Sequence, residues 1–370
     1  MRRYSVLVCG AGIAGATLAY WLARHGMRVT VVERGDGLRS SGGPVDVHGA
    51  ATEVARRMGV LQGLQDSATH APGLTLVTPS GRRVGPLRLG RPRGDDVEIA
   101  RADLAAILRS AVEDQAYFIF GDEVTALEQD EAGVDVSFLR SPRMRFDLVV
   151  GADGLHSSVR EMVFGPEQDL VHPLGLYIAT MSLGRPAADP ASVVMYNRPG
   201  RSLTVHPVNG TAGAGFIFRA PPHPKAAYRD IRVQKQVVLN AYGVTDWAVP
   251  ELTDLRGQVE GADDLYFDAI SRVQLPHWSR GRVTLLGDAA SCVSLFGDGS
   301  SLAMSGAFTL AEALADDPNR LAAALKRYET HHRKAATSRQ WGYSLAAAWL
   351  VPATQAGLTA RNLSGALLPH

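Results

Sequence analysis

The chain has 370 residues, a formal net charge of +1, and hydrophobic and charged fractions of 46% and 20%. This composition excludes a largely disordered chain, and the length suggests two closely joined domains. Without a concentrated basic stripe, nucleic acid is not an expected partner. Cys9 and Cys292 belong to no CxxC pair, which argues against a disulfide framework or a structural zinc and favours a reducing, cytoplasmic setting.

The N-terminal run from Tyr4 to Ala23 is uncharged and by hydropathy alone is similar to a signal peptide or a membrane span. Glycines at fixed spacing interrupt it, and a second apolar run follows. The pattern therefore predicts a strand over Ser5 to Cys9, a helix over Ile13 to His25 and a strand over Arg28 to Val32. No other stretch is long and apolar enough to span a bilayer, so a membrane is not an expected partner.

A GxGxxG pattern, formed by Gly10, Gly12 and Gly15, joins the first strand to the first helix. The first glycine permits a sharp turn, the second lets a pyrophosphate approach the backbone, and the third allows close packing of helix and strand. The helix N-terminus then offers N–H groups and a partial positive charge to the phosphates. Glu33 stands where a carboxylate accepts hydrogen bonds from ribose hydroxyls and would repel a 2′-phosphate. The alternative is a glycine-rich turn of another α/β fold.

The middle of the chain continues the alternation of helices and strands. Leu104 to Val112 predicts a helix, and Tyr117 to Phe120 and Val134 to Phe138 predict strands. A further apolar strand then leads into Asp153-Gly154. An acidic residue beside a small one at the carboxyl end of a parallel strand is placed where ligands bind such a sheet.

The region after about residue 170 has short alternating runs, which predict an antiparallel sheet. A charged helix, Ala226 to Tyr242, is expected to cover one side of it, and Leu74 to Val77 could add a strand. The predicted strands are Tyr177 to Leu183, Ser192 to Tyr196, Leu203 to Val208 and Gly213 to Phe218.

The last third begins with another apolar strand, Val283 to Leu286, that ends in Gly287-Asp288. A helix from Ser300 to Ala315 follows, and Leu321 to His332 has helical periodicity. His331, His332 and Arg333 are adjacent on that helix, so they cannot chelate one ion in the usual i,i+4 manner. We interpret these three residues as a solvated basic face and expect no metal site.

The three separated glycine–acid motifs resemble, in order and spacing, those of class A flavoprotein monooxygenases. This para-hydroxybenzoate hydroxylase-like family includes the tetracycline-inactivating monooxygenases, and the resemblance covers nearly the whole chain. It implies an α/β fold with a Rossmann-like FAD-binding domain on a parallel sheet, a substrate domain with a mixed or antiparallel sheet, and C-terminal helices. It also implies that NADPH or NADH reduces FAD, and that O2 then forms a C4a-hydroperoxyflavin, which hydroxylates an aromatic or polyketide-like small molecule.

The same resemblance assigns residues to the cofactor. The first motif would hold the ADP part of FAD, Arg101 would reach FAD from the start of a helix, and Asp153-Gly154 would serve both FAD and the nicotinamide nucleotide. Gly287-Asp288 would hold the ribityl chain and the pyrophosphate end. The full FAD-binding set is Gly10, Gly12, Ala14, Gly15, Glu33, Arg34, Arg101, Asp153, Gly154, Gly287, Asp288, Gly297, Gly299 and Ser300.

No catalytic residue is fixed by these patterns. His206, as a base on a phenol, and Asp46, in the segment from Ser41 to His48 that resembles the loop near the isoalloxazine ring, are candidates. Arg160 or Arg101 could contact the phosphates of a transiently bound NAD(P)H. The mechanism requires an apolar cavity, although packing in a sheet core is the better interpretation for any single candidate. The candidates are Met195, Tyr196, His206, Phe216, Phe218 and Phe296.

One loop departs from the family pattern. Ser291 stands where a histidine is common, and Asp298 replaces a glutamine between Gly297 and Gly299. A carboxylate there would either oppose the helix dipole at the flavin N1–O2 edge or cap the helix. Two alternatives therefore stay open: an FAD-dependent desaturase, reductase or isomerase without oxygen insertion, and a non-catalytic FAD-binding accessory protein.

The predicted domains follow from the order of the motifs. Residues 1–70, 97–170 and 275–340 would form a discontinuous FAD-binding domain, and residues 71–96 and 171–274 the substrate domain. Residues 341–370 would form a C-terminal helix. The expected state is a monomer or a homodimer.

Overall fold

The structure of the chain is a computed structural model. It describes residues 4–37, 43–69, 73–78, 80–87, 94–208, 210–223, 228, 230–243, 247–292, 298–317, 320–340 and 343–366.

The strands and helices alternate along the first half of the chain and segregate later. The strands are β1 (Ser5–Cys9), β2 (Arg28–Glu33), β3 (Pro44–Val47), β4 (Gly73–Val77), β5 (Arg83–Leu87), β6 (Val97–Ala100), β7 (Tyr117–Phe120), β8 (Val124–Gln129), β9 (Val134–Phe138), β10 (Met144–Phe146), β11 (Leu148–Gly151), β12 (Val171–Ser182), β13 (Ser192–Arg198), β14 (Arg201–Val208), β15 (Thr211–Arg219), β16 (Tyr266–Val273), β17 (Ser279–Arg280) and β18 (Val283–Leu285). The helices are α1 (Ile13–Arg24), α2 (Ala50–Arg57), α3 (Leu61–Asp66), α4 (Arg101–Ser110), α5 (Ser158–Phe164), α6 (Glu167–Leu170), α7 (Ile231–Tyr242), α8 (Leu255–Gly261), α9 (Asp298–Asp316), α10 (Leu321–Gln340), α11 (Tyr343–Leu350) and α12 (Gln355–Ala366).

The first sheet has the strand order β17-β18-β11-β1-β2-β7, and its strands are parallel except for β17. Its central strand β1 is buried along its whole length, as expected for a parallel strand covered on both faces. Helix α1 packs against α9 and α4 on one side of this sheet. The carboxyl ends of β1, β2, β11 and β18 therefore lie at one edge, as the sequence predicted.

The turn after β1 needs two of its glycines for steric reasons. Gly10 has φ +103°, and a Cβ there would strike the carbonyl of Ala152, which follows the neighbouring strand. A Cβ at Gly15 would strike the Gly10 carbonyl and come within 3.3 Å of the Val8 side chain. Both requirements match the roles predicted for a dinucleotide-binding turn.

The second sheet has seven strands in the order β16-β12-β15-β14-β13-β4-β5. All of its neighbours are antiparallel except β4 and β13, which are parallel, so the sheet is mixed. The α/β fold class with a parallel sheet, a second mixed sheet and C-terminal helices is confirmed. The second sheet takes its strands from within 71–96 and 171–274, and this membership supports the two-domain division, which we retain as a proposal.

The two faces of the second sheet have different coverings. One face packs its aromatic residues, including Phe216 and Phe218, against α7 and α8. The opposite face is covered in part by α11, through Leu350 and its neighbours. The remainder of that face lies open to a large cavity between the two sheets.

Three predictions about helices need correction. Helix α4 covers Arg101–Ser110 and not 104–112, because the helix begins directly after β6 while its apolar periodicity starts only at Leu104. Helix α7 begins at Ile231 with Asp230 as its N-cap, later than the predicted Ala226. The C-terminal segment contains two helices, since Pro352 lies between α11 and α12 and proline interrupts a helix.

The expected basic face on α10 is also wrong in part. His332 is only 5% exposed, and its ring stacks on Tyr328 and lies 6.0 Å from that of Trp278. Burial lowers the pKa of His332 to about 4. Arg333 lies over the Trp278 ring and donates to the Leu275 carbonyl, so of the three residues only His331 is exposed. Sequence spacing does not show which side of a helix a neighbouring hairpin covers.

Within the described part of the chain, no helix combines the length and the hydropathy needed to cross a bilayer.

Candidate functional site

A cavity of about 2120 Å³ lies between the carboxyl edge of the first sheet and the open face of the second. Segments remote in sequence meet in its wall. Eleven of the predicted FAD-binding residues line it: Gly10, Gly12, Ala14, Glu33, Arg34, Arg101, Asp153, Gly154, Asp288, Gly299 and Ser300.

The other three predicted residues differ. Gly15 lies behind the wall, where it allows α1 to pack on β1. Gly287 has φ +62°, and a Cβ there would lie 3.0 Å from the Cβ of Ala14, so it brings the last motif against the first. Gly297 lies outside the described residues, as do Phe296 and the side chain of Asp298.

The N-terminus of α1 fits a pyrophosphate. Gly12 is the N-cap, and no side-chain hydrogen bond caps this end among the described residues. No atom of the described residues lies within 4 Å of the position that a Cβ at Gly12 would take. The first N–H groups of α1 therefore face open space in the cavity, where they and the helix dipole favour an anionic group.

Glu33 supports this turn. One of its carboxylate oxygens accepts from the Ala11 N–H at 3.0 Å and the other from the Gly35 N–H at 2.8 Å. Each oxygen of an ionised carboxylate can accept a further hydrogen bond. Glu33 therefore holds the turn in place, and its carboxylate oxygens can accept further hydrogen bonds at the cavity wall.

Asp153 is tied to the start of α5. Its carboxylate accepts from the Ser157 hydroxyl at 2.5 Å and from the Val159 N–H at 3.1 Å. Burial raises the pKa of this carboxyl, and these hydrogen bonds act against the increase. Asp153 thus holds the turn into α5 in place while it lines the cavity.

Arg160 cannot contact a nucleotide, contrary to the suggestion from sequence. Its side chain is fully buried and donates to the carbonyls of Leu155 and Ala289, at 2.5 and 3.2 Å, and lies 3.7 Å from Glu167. Its two hydrogen bonds therefore connect the second glycine–acid motif to the third. Arg101, at the first residue of α4 as predicted, is exposed at the cavity wall.

Asp288 lies in a short 3-10 turn at the end of β18. Burial raises the pKa of its carboxyl, whereas the positive charge of Arg101 and a hydrogen bond with Cys292 lower it. Burial and the nearby Asp288 raise the pKa of the Cys292 thiol. Cys292 is therefore a protonated neighbour of Asp288 and not a nucleophile.

The segment containing Asp46 is fastened to the start of α9. The Asp46 carbonyl accepts from the hydroxyls of Ser300 and Ser301, at 2.6 and 2.8 Å. The His48 N–H donates to the Ser301 hydroxyl at 3.0 Å. Ser301 was missed by the sequence reasoning, although the adjacent serines at the helix start were a signal. Of the predicted loop from Ser41 to His48, the described residues are 43–48.

The predicted apolar lining is wrong for four of its six members. Met195 packs under the C-terminal helices, and Tyr196, Phe216 and Phe218 pack against α7 and α8. Only His206 of the described candidates lines the cavity. Side chains alternate between the faces of a strand, and the three aromatic residues face the side covered by α7 and α8. The residues that do line the cavity from this sheet include Ile178, Thr180, Thr204, His206, Gly215 and Ile217.

His206 is a poor base. Burial lowers its pKa to about 4, so the imidazole is neutral at physiological pH and holds a proton much more weakly than a phenol does. Its Nε2 lies 2.9 Å from the Thr204 hydroxyl. The candidate role of His206 as a general base is therefore not favoured.

His156, directly after Asp153-Gly154, is a site residue that sequence reasoning missed. Its Nδ1 lies 3.0 Å from Glu167 and its Nε2 lies 3.1 Å from Asp268, which belongs to the second sheet. Burial alone would lower the pKa of His156, but hydrogen bonds to these carboxylates outweigh it and raise the pKa to about 9. The ion cluster thus joins the two sheets at the cavity wall. No local pattern signals a partner 112 residues away.

Comparison with known proteins identifies the class of protein. The model of a family described as "FAD binding domain" matches residues 3–339. The chain belongs to this FAD-binding family, and it is an FAD-dependent monooxygenase.

Particular relatives and structures agree. A flavin-dependent monooxygenase of Legionella longbeachae is 32% identical over 317 residues, which are 84% of this chain and 80% of that protein. The crystal structure of tetracycline destructase Tet(55) is 31% identical with a TM-score of 0.82, covering 98% of this chain and 95% of that chain. Klebsiella pneumoniae HpxO with FAD and uric acid is 20% identical, with a TM-score of 0.76 over 98% of this chain and 92% of that one, which supports the fold.

Proposed function

We propose that this enzyme uses NADPH or NADH and O2 to hydroxylate an aromatic or polyketide-like small molecule. One atom of O2 would enter the product and the other would leave as water. The observation that supports this most directly is the single cavity, which has a nucleotide-binding turn at one side and an open sheet face at the other. When bound there, FAD supplies the electron transfer between the nicotinamide and dioxygen.

We assign the binding of FAD to backbone groups and short side chains. The N-terminus of α1 would hold the pyrophosphate, with Gly12 leaving the approach open. Glu33 would accept hydrogen bonds from the ribose hydroxyls, and Asp288 would contact the ribityl chain from the end of β18. These assignments are supported by the shared wall of the cavity.

Electrostatics near the reacting end would depend on Arg101 and on the first turn of α9. Arg101 supplies positive charge at the cavity wall beside Asp288. The first turn of α9, fastened to β3 by Ser300 and Ser301, directs its partial positive charge towards the same space. Both features favour the additional negative charge of a reduced cofactor.

Exclusion of water would be the task of the second sheet. The part of its open face formed by β12, β14 and β15 lines the cavity with neutral side chains, while the ion cluster of His156, Glu167 and Asp268 fixes that sheet to the nucleotide side. Exclusion of water from an active site protects reactive intermediates from hydrolysis.

The test is to purify the holoenzyme and screen polycyclic phenols for stimulated consumption of NADPH and NADH. Once a compound that stimulates this consumption is identified, the reaction is run under oxygen-18 gas, and the mass of the product is measured by mass spectrometry. One labelled oxygen atom per product molecule is expected. Turnover without label would show a desaturase, reductase or isomerase instead.

A further inference from the structure

Four polar side chains form a continuous chain of hydrogen bonds at the cavity wall. We call them the wall chain: Glu167, His156, Asp268 and Tyr266. Nδ1 of His156 lies 3.0 Å from Oε1 of Glu167, and Nε2 lies 3.1 Å from Oδ1 of Asp268. The Tyr266 hydroxyl donates to the other oxygen of Asp268, Oδ2, at 3.4 Å. Each neighbouring pair is therefore within hydrogen-bond distance.

The two ends of the wall chain lie in different surroundings. Three of its members line the cavity, whereas Glu167 is not among the lining residues. The Glu167 side chain is 12% exposed, so its accessible part lies outside the cavity. At the other end, burial and the charge of Asp268 raise the pKa of the Tyr266 phenol, whereas the charge of Arg101 lowers it. Because Arg101 is assigned to FAD, the wall chain runs from outside the cavity to the cofactor side of its interior.

The partners of His156 determine its charge. An ionised carboxylate can only accept, so both ring nitrogens of His156 donate, one to Glu167 and the other to Asp268. Burial alone would lower the pKa of His156, and hydrogen bonds to the two carboxylates raise it to about 9. The other groups that face this cluster are the Tyr228 ring, 4.9 Å from that of His156, and Arg160, 3.7 Å from Glu167. A charged proton donor therefore lies in the middle of the wall chain at neutral pH.

The proposed reaction consumes one proton in each turnover. With RH as the substrate, NAD(P)H, H⁺, O2 and RH give NAD(P)⁺, ROH and H2O, so the hydride and the proton together complete the water molecule. This proton must reach the oxygen atom that leaves as water. A cavity from which water is excluded needs another route for it, and positioned side chains can transfer protons to reacting groups.

We infer that the wall chain carries this proton from His156 into the cavity, with Tyr266 as the last donor. The Nε2–H bond of His156 breaks as an O–H bond forms on Asp268. Rotation of that carboxyl group places the proton beside Tyr266, whose hydroxyl takes it and releases its own proton to the oxygen atom in the cavity. His156 then regains a proton from solution through Glu167, and no electron moves in these steps.

This inference rests on the proposed function and adds the source of its proton. Tyr266 is the catalytic residue of the wall chain, and His156 and Asp268 act through it as positioning residues. The experiment follows reduced holoenzyme as it reacts with O2, without substrate or nicotinamide. Stoichiometric dithionite reduces the flavin anaerobically, and stopped-flow absorbance records its reoxidation across pH. The reduced flavin anion, O2 and one proton give oxidised flavin and hydrogen peroxide, so this reaction also needs a proton in the cavity.

Variants of the wall chain should slow reoxidation. We expect Tyr266→Phe and Asp268→Asn each to lower the rate by about 100-fold at neutral pH, the lower end of what a positioned proton donor contributes. The wild-type rate should fall as pH rises through about 9, where His156 loses its proton, and His156→Gln should not show this decline. Tyr228→Phe, which removes a phenol beside His156 but outside the wall chain, is the matched control and should react at the wild-type rate.

Two further measurements separate proton transfer from a structural role. Added imidazole should raise the reoxidation rate of His156→Ala by about tenfold. 1,3-Dimethylimidazolium has the same charge as imidazolium and a similar shape but no transferable proton, so it should restore nothing. Independently of activity, NMR titration of the His156 ring should give a pKa of about 9 in the wild type and a lower one in Asp268→Asn. FAD content, measured by absorbance, reports the folding of each variant.

The inference is overturned if either Tyr266→Phe or Asp268→Asn reoxidises at the wild-type rate, since water would then supply the proton. It is also overturned if the decline at high pH persists in His156→Gln, or if 1,3-dimethylimidazolium restores as much activity as imidazole does. These outcomes do not depend on a substrate. An enzyme whose reoxidation depends on the wall chain but which incorporates no oxygen-18 would contradict the proposed function and leave the proton route intact.

Discussion

At the nucleotide side of the cavity the chain presents mainly backbone, whereas at the substrate side it presents the side chains of one sheet face. Gly10, Gly12 and Gly15 shape the first side through positive φ, open space and close packing. The second side depends on which alternate residues of β12, β14 and β15 turn inwards. A glycine-to-valine substitution should therefore impair FAD binding on the first side and substrate binding on the second.

The largest expected effect is that of Gly12→Val. The side chain would occupy the space in front of the α1 N-terminus, where no described atom lies within 4 Å, so the fold should persist while the pyrophosphate is excluded. FAD affinity should fall by about 100-fold or more, equivalent to at least about 2.7 kcal/mol. Absorbance of the purified protein and titration with FAD measure it.

Gly63→Val is the matched control. Gly63 lies in α3, is not among the residues that line the cavity, and likewise has no described atom within 4 Å of its Cβ position. It should retain FAD. Full FAD content in Gly12→Val would show that the first motif is assigned to the wrong ligand.

The next effect is on the substrate side. In Gly215→Val the new side chain would displace Thr204 and press on His206. We expect FAD content to stay at the wild-type level and the affinity for 2-naphthol to fall by about tenfold. Loss of FAD together with the ligand would mean that the two sides of the cavity are not separable.

A loss of similar size, but of FAD, is expected for Asp288→Ala. The carboxylate lies in the short turn after β18 and is assigned to the ribityl chain, and one hydrogen bond to a charged group contributes about 1.5–3 kcal/mol. FAD affinity should fall by about tenfold, measured by titration of the apoprotein. Unchanged affinity would argue against the assignment of this residue.

The last expected effect is on stability and its dependence on pH. The pKa of His156 in the folded protein is about 9, compared with an ordinary value of 6.5. Burial alone would lower this pKa, and the carboxylates of Asp268 and Glu167 raise it. A raised pKa contributes stability that is complete below 6.5 and is lost as pH rises through about 9. His156→Gln should thus lower the free energy of unfolding by about 2 kcal/mol at acidic pH.

Above about pH 9 the difference between His156→Gln and the wild type should vanish. Chemical denaturation across pH measures it, and the exposed His331→Gln serves as the control. Tyr228, whose ring lies 4.9 Å from that of His156, and Arg160 face the same cluster. A difference that grows with pH would contradict the assigned charge state.

The contrast between the two sides also explains what the sequence could predict. Glycines and acids at strand ends act through backbone geometry that is local to each motif, so β1, β2 and β7 were predicted correctly, and the three glycine–acid motifs converge on one cavity as expected. The choice between the two faces of β15 depends on α7 and α8, which cover Phe216 and Phe218. Residue type alone favoured these aromatic residues as cavity lining, whereas the residues that line the cavity are the smaller ones between them.

Hydrogen-bond partners that are remote in sequence could not be predicted either. The contacts of His156 with Asp268, and of Arg160 with Ala289, join residues more than 100 positions apart. A histidine after Asp153-Gly154 gives no local indication of a second carboxylate from another sheet. Such pairs need an assembled fold before they can be identified.

The central claim is that FAD and the substrate occupy one cavity, with the flavin facing the open face of the second sheet. The most direct test is the visible absorption band of the holoenzyme during titration with 2-naphthol, compared between the wild type and Gly215→Val. The account predicts a saturable perturbation of the flavin band in the wild type, and in the variant the same perturbation only at about tenfold higher ligand concentration. Calorimetric binding of 2-naphthol that leaves the flavin band unchanged in the wild type would contradict it.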